Sequence, residues 1–234
     1  MRKISKRLNL NQKRLLIGML IGDGTITNHP DYKMDHSEAQ LEYLKWKLSL
    51  LDEANIKTSG IKVYKSSSGI NKGSIVYRVR VSTTKTIKAL RRYVYKPKKT
   101  ITRNLLNWLT SREIAIWYMD DGSINVNTSK QRSSIKHTTL IATCVDKDTA
   151  NMICNYFKET WDISFRVFPE QGKKTLTYSI ATTSEEDCRK FNYLIYPYIK
   201  EVPSLLYKIR NNFTKEEFKK IQSENPEVRD FLFL

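Results

Sequence analysis

Two stretches of this chain share one build, an apolar run that ends in Asp-Gly. Residues 16–24 read LIGMLIGDG and residues 114–122 read IAIWYMDDG. Two further echoes follow in the same order. VSTT at 81–84 answers IATT at 180–183, and LRRYVYKPKKTI at 90–101 answers FNYLIYPYIKEVPSLLYKI at 191–209. Chance gives one such echo easily, but three in order at a nearly constant shift mark a duplication. The chain is therefore expected to fold as two similar halves, 1–100 and 101–234, each built on one apolar helix that ends in a carboxylate.

The elements inside each half agree. Residues 11–22 are apolar at nearly every position, which predicts a helix buried on most sides, with Asn9 and Gln12 placed to cap its start. TSRE at 110–113 is a capping box before the second copy. Strand-like segments follow each Asp-Gly, near 25–37 and 124–143, and amphipathic helices follow at 37–56 and 146–163. Each half then has a hairpin. IKVYKS and SIVYRVRVS flank SSGINKG, and SFRVFPE and TLTYSIATT flank QGKK. Helices near 84–95 and 184–196 close the halves, and TKEE from Thr214 predicts one more helix. The order helix, two strands, helix, two strands, helix appears twice, which predicts an α+β fold.

The hairpins separate two faces, because side chains alternate along a strand. Ile75, Tyr77, Val79 and Val81 point one way, and Arg78 and Arg80 the other. Ile61 and Val63 oppose Lys62 and Tyr64, and Phe165 and Val167 oppose Arg166. A polar sheet face is ordinary in a protein with one solvated side. Its meaning changes beside 41 Lys and Arg against 24 Asp and Glu, a formal net charge of +17. Charge that large and that spread favours a polyanionic partner along a shaped surface. A two-stranded ribbon fits the DNA major groove, where base edges carry distinct donor and acceptor patterns.

The other residue types exclude more than they assign. Cys144, Cys154 and Cys188 are odd in number and lack metal-ligand spacing, so small buried hydrophobes in a reducing, intracellular setting are expected. No apolar run approaches the ~18–20 residues of a bilayer span, so no membrane partner is expected. The basic start MRKISKRLNLNQKR lacks a signal-peptide apolar region. His29, His36 and His137 read as surface or strand residues, and Trp46, Trp108, Trp117 and Trp161 as core.

The Asp-Gly pairs carry the chemistry. Gly18 and Gly22 share one helix face, and each costs roughly 1 kcal/mol of helix stability relative to alanine. Close contact with another helix explains their presence. Gly24 fits a left-handed cap. Asp23 then stands at a helix C-terminus, where the dipole disfavours a negative charge, and Asp121 has the same problem beside Asp120. Carboxylates so placed need cations. Two motif helices packed side by side would bring Asp23 and Asp121 together as a divalent-metal site.

Both stretches resemble the LAGLIDADG motif of homing endonucleases, and the duplication resembles the single-chain, two-motif branch. Leu16, Gly18, Gly22, Asp23 and Gly24 match the first copy, and Asp121 and Gly122 the second, which has Ile116 and Asp120 where small residues are usual. The resemblance implies two pseudo-symmetric αββαββα subdomains whose sheets form a saddle over DNA. It implies a monomer that cuts both strands of a long asymmetric duplex across the minor groove. Mg²⁺, or another divalent cation such as Mn²⁺, is implied at Asp23 and Asp121, with Gly22 and Asp120 as further metal contacts. Gly18, Gly22 and Ala115 fall at the implied helix interface. Lysines near each scissile phosphate map to Lys99, with Lys98 as competitor, and to Lys208. Lys33, Lys62, Tyr64, Arg78, Arg80, Lys136 and Arg166 become DNA-binding candidates. An RNA maturase acting on its host intron and a non-catalytic DNA-binding protein are the alternatives on the same scaffold. Retention of both carboxylates favours the nuclease. The Met start and the lack of splicing-type terminal residues suggest a free-standing or intron-encoded frame. Richness in Lys, Asn, Ile and Tyr suggests an AT-rich genome, organellar, bacterial or phage.

Overall fold

The computed structural model describes residues 8–28, 31–66, 73–82, 84–96, 98–127, 136–170, 175–209 and 223. The chain divides into two compact units, Met1–Trp117 and Tyr118–Leu234. Compactness thus divides the chain inside the second motif helix, and the repeat boundary after residue 100 stands as a proposal about the duplication.

The first unit begins with α1 (Leu10–Ile21), opened by a reciprocal cap. The Asn9 side chain accepts the Gln12 N–H at 2.9 Å, and the Gln12 side chain accepts the Asn9 N–H at 2.8 Å. From Leu15 to Ile21 the helix is buried. β1 (Thr25–Ile26), β2 (Tyr32–His36), α2 (Leu41–Glu53), β3 (Thr58–Lys65), β4 (Ile75–Val81) and α3 (Lys85–Val94) follow. A short α4 (Arg103–Leu106) leads to α5 (Ser111–Asp121), the second motif helix. The second unit continues with β5 (Gly122–Asn127), β6 (Lys136–Val145), α6 (Lys147–Trp161), β7 (Phe165–Pro169), β8 (Tyr178–Thr182) and α7 (Glu185–Ile199). A 3-10 turn, Pro203–Ile209, follows α7. The expected order of elements is present in both copies.

Each unit holds a four-stranded antiparallel sheet, ordered β1-β2-β4-β3 in the first and β5-β6-β8-β7 in the second. Alternation sets the faces as expected. Tyr32, Met34, Val79 and Val81 are buried, while Lys33 pairs in register with Arg80, and Asp35 with Arg78, on the opposite face. The Tyr32 hydroxyl donates to the Leu16 carbonyl at 2.8 Å and ties this sheet to α1. Phe157, Phe165 and Phe191 pack their rings together in the second core, with centroids 4.6 to 5.9 Å apart.

VSTT and IATT do the same work in both units. The Ser82 N–H donates to Lys57 O at 2.9 Å and the Thr183 N–H to Ser164 O at 3.1 Å. Thr84 then caps α3 and Ser184 caps α7 through their side-chain oxygens. Ser82 thus corresponds to Thr183 by role, which shifts the letter-by-letter match. Thr83, and the helix expected from Thr214, lie outside the described residues.

Three expectations need correction. Gly24 is not in a left-handed conformation, and α1 is closed by Gly22 at φ −76°. The glycine answers to space instead, because a Cβ on Gly24 would lie 2.4 Å from the Met19 carbonyl oxygen. Gly122 is equally tight, with a Cβ 2.1 Å from the Tyr118 ring. The chain folds back over the last helical turn at both Asp-Gly pairs. We expect Gly24→Ala and Gly122→Ala each to cost about 1–3 kcal/mol, read as a lower urea midpoint at unchanged m-value. Cys154 and Cys188 are buried as expected, but Cys144 is exposed, at φ +49° in an irregular part of β6. His36 is a strand residue, one of the two settings expected, and faces inward on β2 at 3% exposure. Trp46 and Trp117 are buried, while Trp108 and Trp161 are half-buried.

One carboxylate organises the start of α7. Burial opposes ionisation of Asp187, but the Ser184 hydroxyl (2.6 Å), the Ser164 N–H (2.8 Å) and the Thr183 hydroxyl (2.7 Å) hold its carboxyl below the usual range. A depressed folded-state pKa contributes stability above the unfolded value, near ~4, that is lost as pH falls through the folded one. Urea midpoints should therefore fall below about pH 4, and Asp187→Asn should flatten that acid limb.

Candidate functional site

The motif helices meet their surroundings tightly. A Cβ on Gly18 would lie 2.6 Å from Glu113 Cγ and 3.0 Å from Glu113 Cα, so this glycine admits the start of α5 against α1. Glu113 is fully buried there. Its carboxylate accepts the Thr110 N–H at 3.1 Å, the Thr110 hydroxyl, and the Arg112 Nε–H at 2.8 Å. The expected capping box is thus present in its Glu113 arm. Ala115 is buried. Tyr43 from α2 donates to the Ile116 carbonyl at 2.9 Å, which fixes α5 further.

At the end of α1, Asp23 is about two-fifths exposed, and its Oδ2 lies 4.0 Å from His36 Nδ1. Carboxylate and carbonyl oxygens are the hard donors that Mg²⁺ and Ca²⁺ take, so the chemistry at this helix end fits such an ion. Asp120 and Asp121 end α5 and are half-buried.

A lysine meets the carbonyl end of each motif helix from within its own unit. Lys99 Nζ donates to the carbonyls of Leu20 (3.1 Å), Ile21 (3.3 Å) and Gly22 (2.5 Å). Lys208 Nζ donates to those of Met119 (2.6 Å) and Asp120 (3.4 Å) and is nearly buried. The Tyr118 hydroxyl donates back to the Lys208 carbonyl at 2.7 Å. The last turn of a helix leaves carbonyls without partners and a partial negative charge, and an ammonium answers both. Lys98 is exposed, and its carbonyl accepts the Lys96 N–H at 2.9 Å.

The polar face of the first sheet is preorganised. Asp35 takes a bidentate contact from Arg78, at 2.6 Å to Nε and 2.7 Å to Nη2, with Lys33 at 3.6 Å. Burial raises the Asp35 pKa, yet Arg78 and Lys33 hold it below the usual range. The Arg78 pKa is raised in turn by its bond to Asp35. The Arg78 guanidinium lies 4.6 Å from the Tyr64 ring centre and that of Arg80 5.7 Å. Arg80 Nε is 3.5 Å from Asp31. Lys62 pairs in register with Arg78.

The second sheet differs. Its row in register runs Ser123, Leu140, Ala181, Arg166, where the first sheet has Thr25, Lys33, Arg80. Leu140 and Ala181 thus stand where the first unit has two cations. The Lys136 side chain lies outside the described residues, as does His29.

The model of the LAGLIDADG DNA endonuclease family matches residues 13–191. The chain belongs to that family. Protein RecA of Mycobacterium shimoidei is 30% identical over 220 residues, covering 88% of this chain and 48% of that protein. The protein named "Probable intron-encoded endonuclease 1" of Wickerhamomyces canadensis is 24% identical over 212 residues, covering 86% of this chain and 84% of that one. The chain spans about half the length of the RecA relatives it matches. The solved structure of the homing endonuclease I-WcaI bound to its DNA recognition sequence shares the fold. Its TM-score is 0.69 at 21% identity, covering 87% of this chain and 88% of that one. The α+β architecture and the family expected from the motifs are therefore established. Among the described residues no helix is long and apolar enough to cross a membrane.

Proposed function

We propose that this protein is a site-specific DNA endonuclease that binds a long asymmetric duplex as a monomer and breaks both strands across the minor groove. The observation that carries this reading is the repeated helix end. Each motif helix runs into Asp-Gly and has a lysine on its last carbonyls. Family membership and the DNA-bound structural relative support a duplex substrate. Double-stranded DNA as substrate puts the work inside a cell or an organelle.

Asp23 with the Gly22 carbonyl, and Asp121 with Asp120, are the groups proposed to hold divalent ions, Mg²⁺ or Mn²⁺. An ion held there supplies Lewis-acid polarisation of the scissile phosphate and offsets the charge that develops on the leaving 3′-oxygen. The chain's own part is to present two carboxylates and to keep an ammonium at each of the two helix ends, where its charge reaches the phosphate. Lys99 and Lys208 are anchored at the ends of the same helices, where an ammonium stabilises transition-state charge without reorganising.

The sheets supply affinity and register. Arg80, Lys62 and Lys33 on the first sheet suit phosphates and guanine edges. Arg78 is presented as a composite with Asp35, which adds an acceptor. On the second sheet Leu140 suits a thymine methyl group, with Arg166 as the cation. Unequal faces read unequal half-sites, which supports an asymmetric target. Phosphate contacts make affinity fall with salt.

The test is selection of cleaved sites from a randomised duplex library in Mg²⁺, repeated with EDTA. One long non-palindromic consensus, lost with EDTA, is expected. Metal-independent retention of DNA or host-intron RNA without strand breaks would replace this reading with a binder or a maturase.

A further inference from the structure

A groove opens between the middle of α1 and the length of α3, within the first unit. Its volume is about 500 Å³, inside the size range of natural binding sites. Leu16 and Ile17 of α1 form a buried floor, α3 turns Ala89, Leu90 and Tyr93 into it, and Trp108 adds an indole. The α3 residues recur at the spacing of one helix face. From Thr86, which also lines the groove, to Tyr93 this face runs about 10 Å. Tyr93 is 40% exposed. Leu10 shares a face of α1 with Lys13 and Ile17 and is 51% exposed, so apolar surface continues outward from the groove. Contiguous apolar surface inside a polar rim marks an interaction site.

The rim here is cationic. Lys85, Lys88 and Arg92 each stand one residue before a groove residue of α3, and all three are exposed. α3 has no Asp or Glu. Lys96 Nζ lies 5.8 Å from the centre of the Tyr93 ring, and Lys13 flanks the groove from α1. Among the described residues, Lys13, Lys85, Lys88 and Arg92 have no carboxylate within ion-pair distance.

We propose that this groove seats one helix of a partner protein, an amphipathic helix with apolar residues at i, i+4 and i+7 and Asp or Glu along both flanks. The lining decides the occupant. A nucleobase buries donors and acceptors along its edge, and this wall offers few partners for them, chiefly Lys13 and Thr86. Leucine and phenylalanine side chains ask for none. A bilayer surface takes up an apolar ridge, whereas this surface is concave. Cations on both walls then select acids on the incoming helix and speed its encounter. The inference stands independently of the endonuclease reading.

The test uses the full chain and a fluorescent probe peptide of about 18 residues, long enough to hold a helix. The probe is alanine-rich, with Leu, Phe and Leu at that spacing and Glu on both flanks. A scrambled peptide of the same composition is the control. Fluorescence anisotropy should show the probe bound about tenfold or more tightly than the control. Ala89→Trp fills the groove from an exposed position and should weaken the probe about tenfold or more. Lys85→Glu, Lys88→Glu and Arg92→Glu combined should weaken it as much at low salt and less at high salt. Equal binding of the two peptides, or unchanged probe affinity in Ala89→Trp, would overturn the proposal. So would a single-stranded RNA that binds more tightly than the probe and loses affinity in Ala89→Trp, or a dimer of this chain that Ala89→Trp abolishes. Thermal melting reports a fold defect in Ala89→Trp. Tyr93→Ala, which removes part of one wall and should also weaken the probe, then decides.

Discussion

Asp23→Asn and Asp121→Asn should each bind the selected target as tightly as the wild type and lose cleavage by a factor of about 10³ or more. Asparagine keeps the size and the hydrogen-bonding shape but removes the charge that holds a divalent ion. The same change removes a negative charge from the C-terminal end of a helix, where it is disfavoured. Each variant should therefore be as stable as the wild type or more stable, by about 0.3–1 kcal/mol. Inactivity together with retained binding and undiminished stability separates a lost metal ligand from a damaged fold. Gel shift, strand-labelled cleavage and urea melts on one preparation read all three. Reduced binding with intact chemistry would contradict the assignment.

Lys208→Met should bring the largest loss of stability among the site variants. Its ammonium is nearly buried and donates to the Met119 and Asp120 carbonyls. Methionine matches the stem but leaves those carbonyls without this partner at a helix end. An unsatisfied buried acceptor costs about 1–3 kcal/mol, so a loss of about 2–6 kcal/mol is expected from the two together. Lys99→Met removes a similar set of contacts from a more exposed side chain, where water can replace the donor, and should cost about 1 kcal/mol. Both should cut more slowly at saturating Mg²⁺. If Lys208→Met melts like the wild type, the ammonium is not what satisfies the end of α5.

Much of the fold was legible because it rests on local signals. Helix caps are short-range, and Asn9 with Gln12, Thr84 and Ser184 all act as their spacing suggests. Period-two alternation put Val79 and Val81 inside and Arg78 and Arg80 outside. Duplication carried each reading from one half to the other. The Lys99 and Lys208 positions came from the resemblance, and the structure places both on motif-helix carbonyls.

What was missed depends on groups brought together from afar. His36 and Lys47 read as polar residues of a strand and a helix. Nothing local says that both turn inward and meet each other beside Tyr43. The alternation of β2 did hold the clue, since His36 shares the parity of Tyr32 and Met34. The pairing of Arg78 with Asp35 is cross-strand, and no spacing within one strand reveals it. A left-handed cap is the common reason for a glycine after a helix, and position 24 suggests one. Here the reason is the return of the chain over Met19, a contact that no local signal announces.

The proposed metal site is tested most directly by anomalous diffraction from crystals of the protein with its target duplex in Mn²⁺. Manganese peaks at oxygen-ligand distance, about 2.0–2.3 Å, from the carboxylates of both Asp23 and Asp121 are expected. Peaks at phosphates alone, or none at either aspartate, would contradict it.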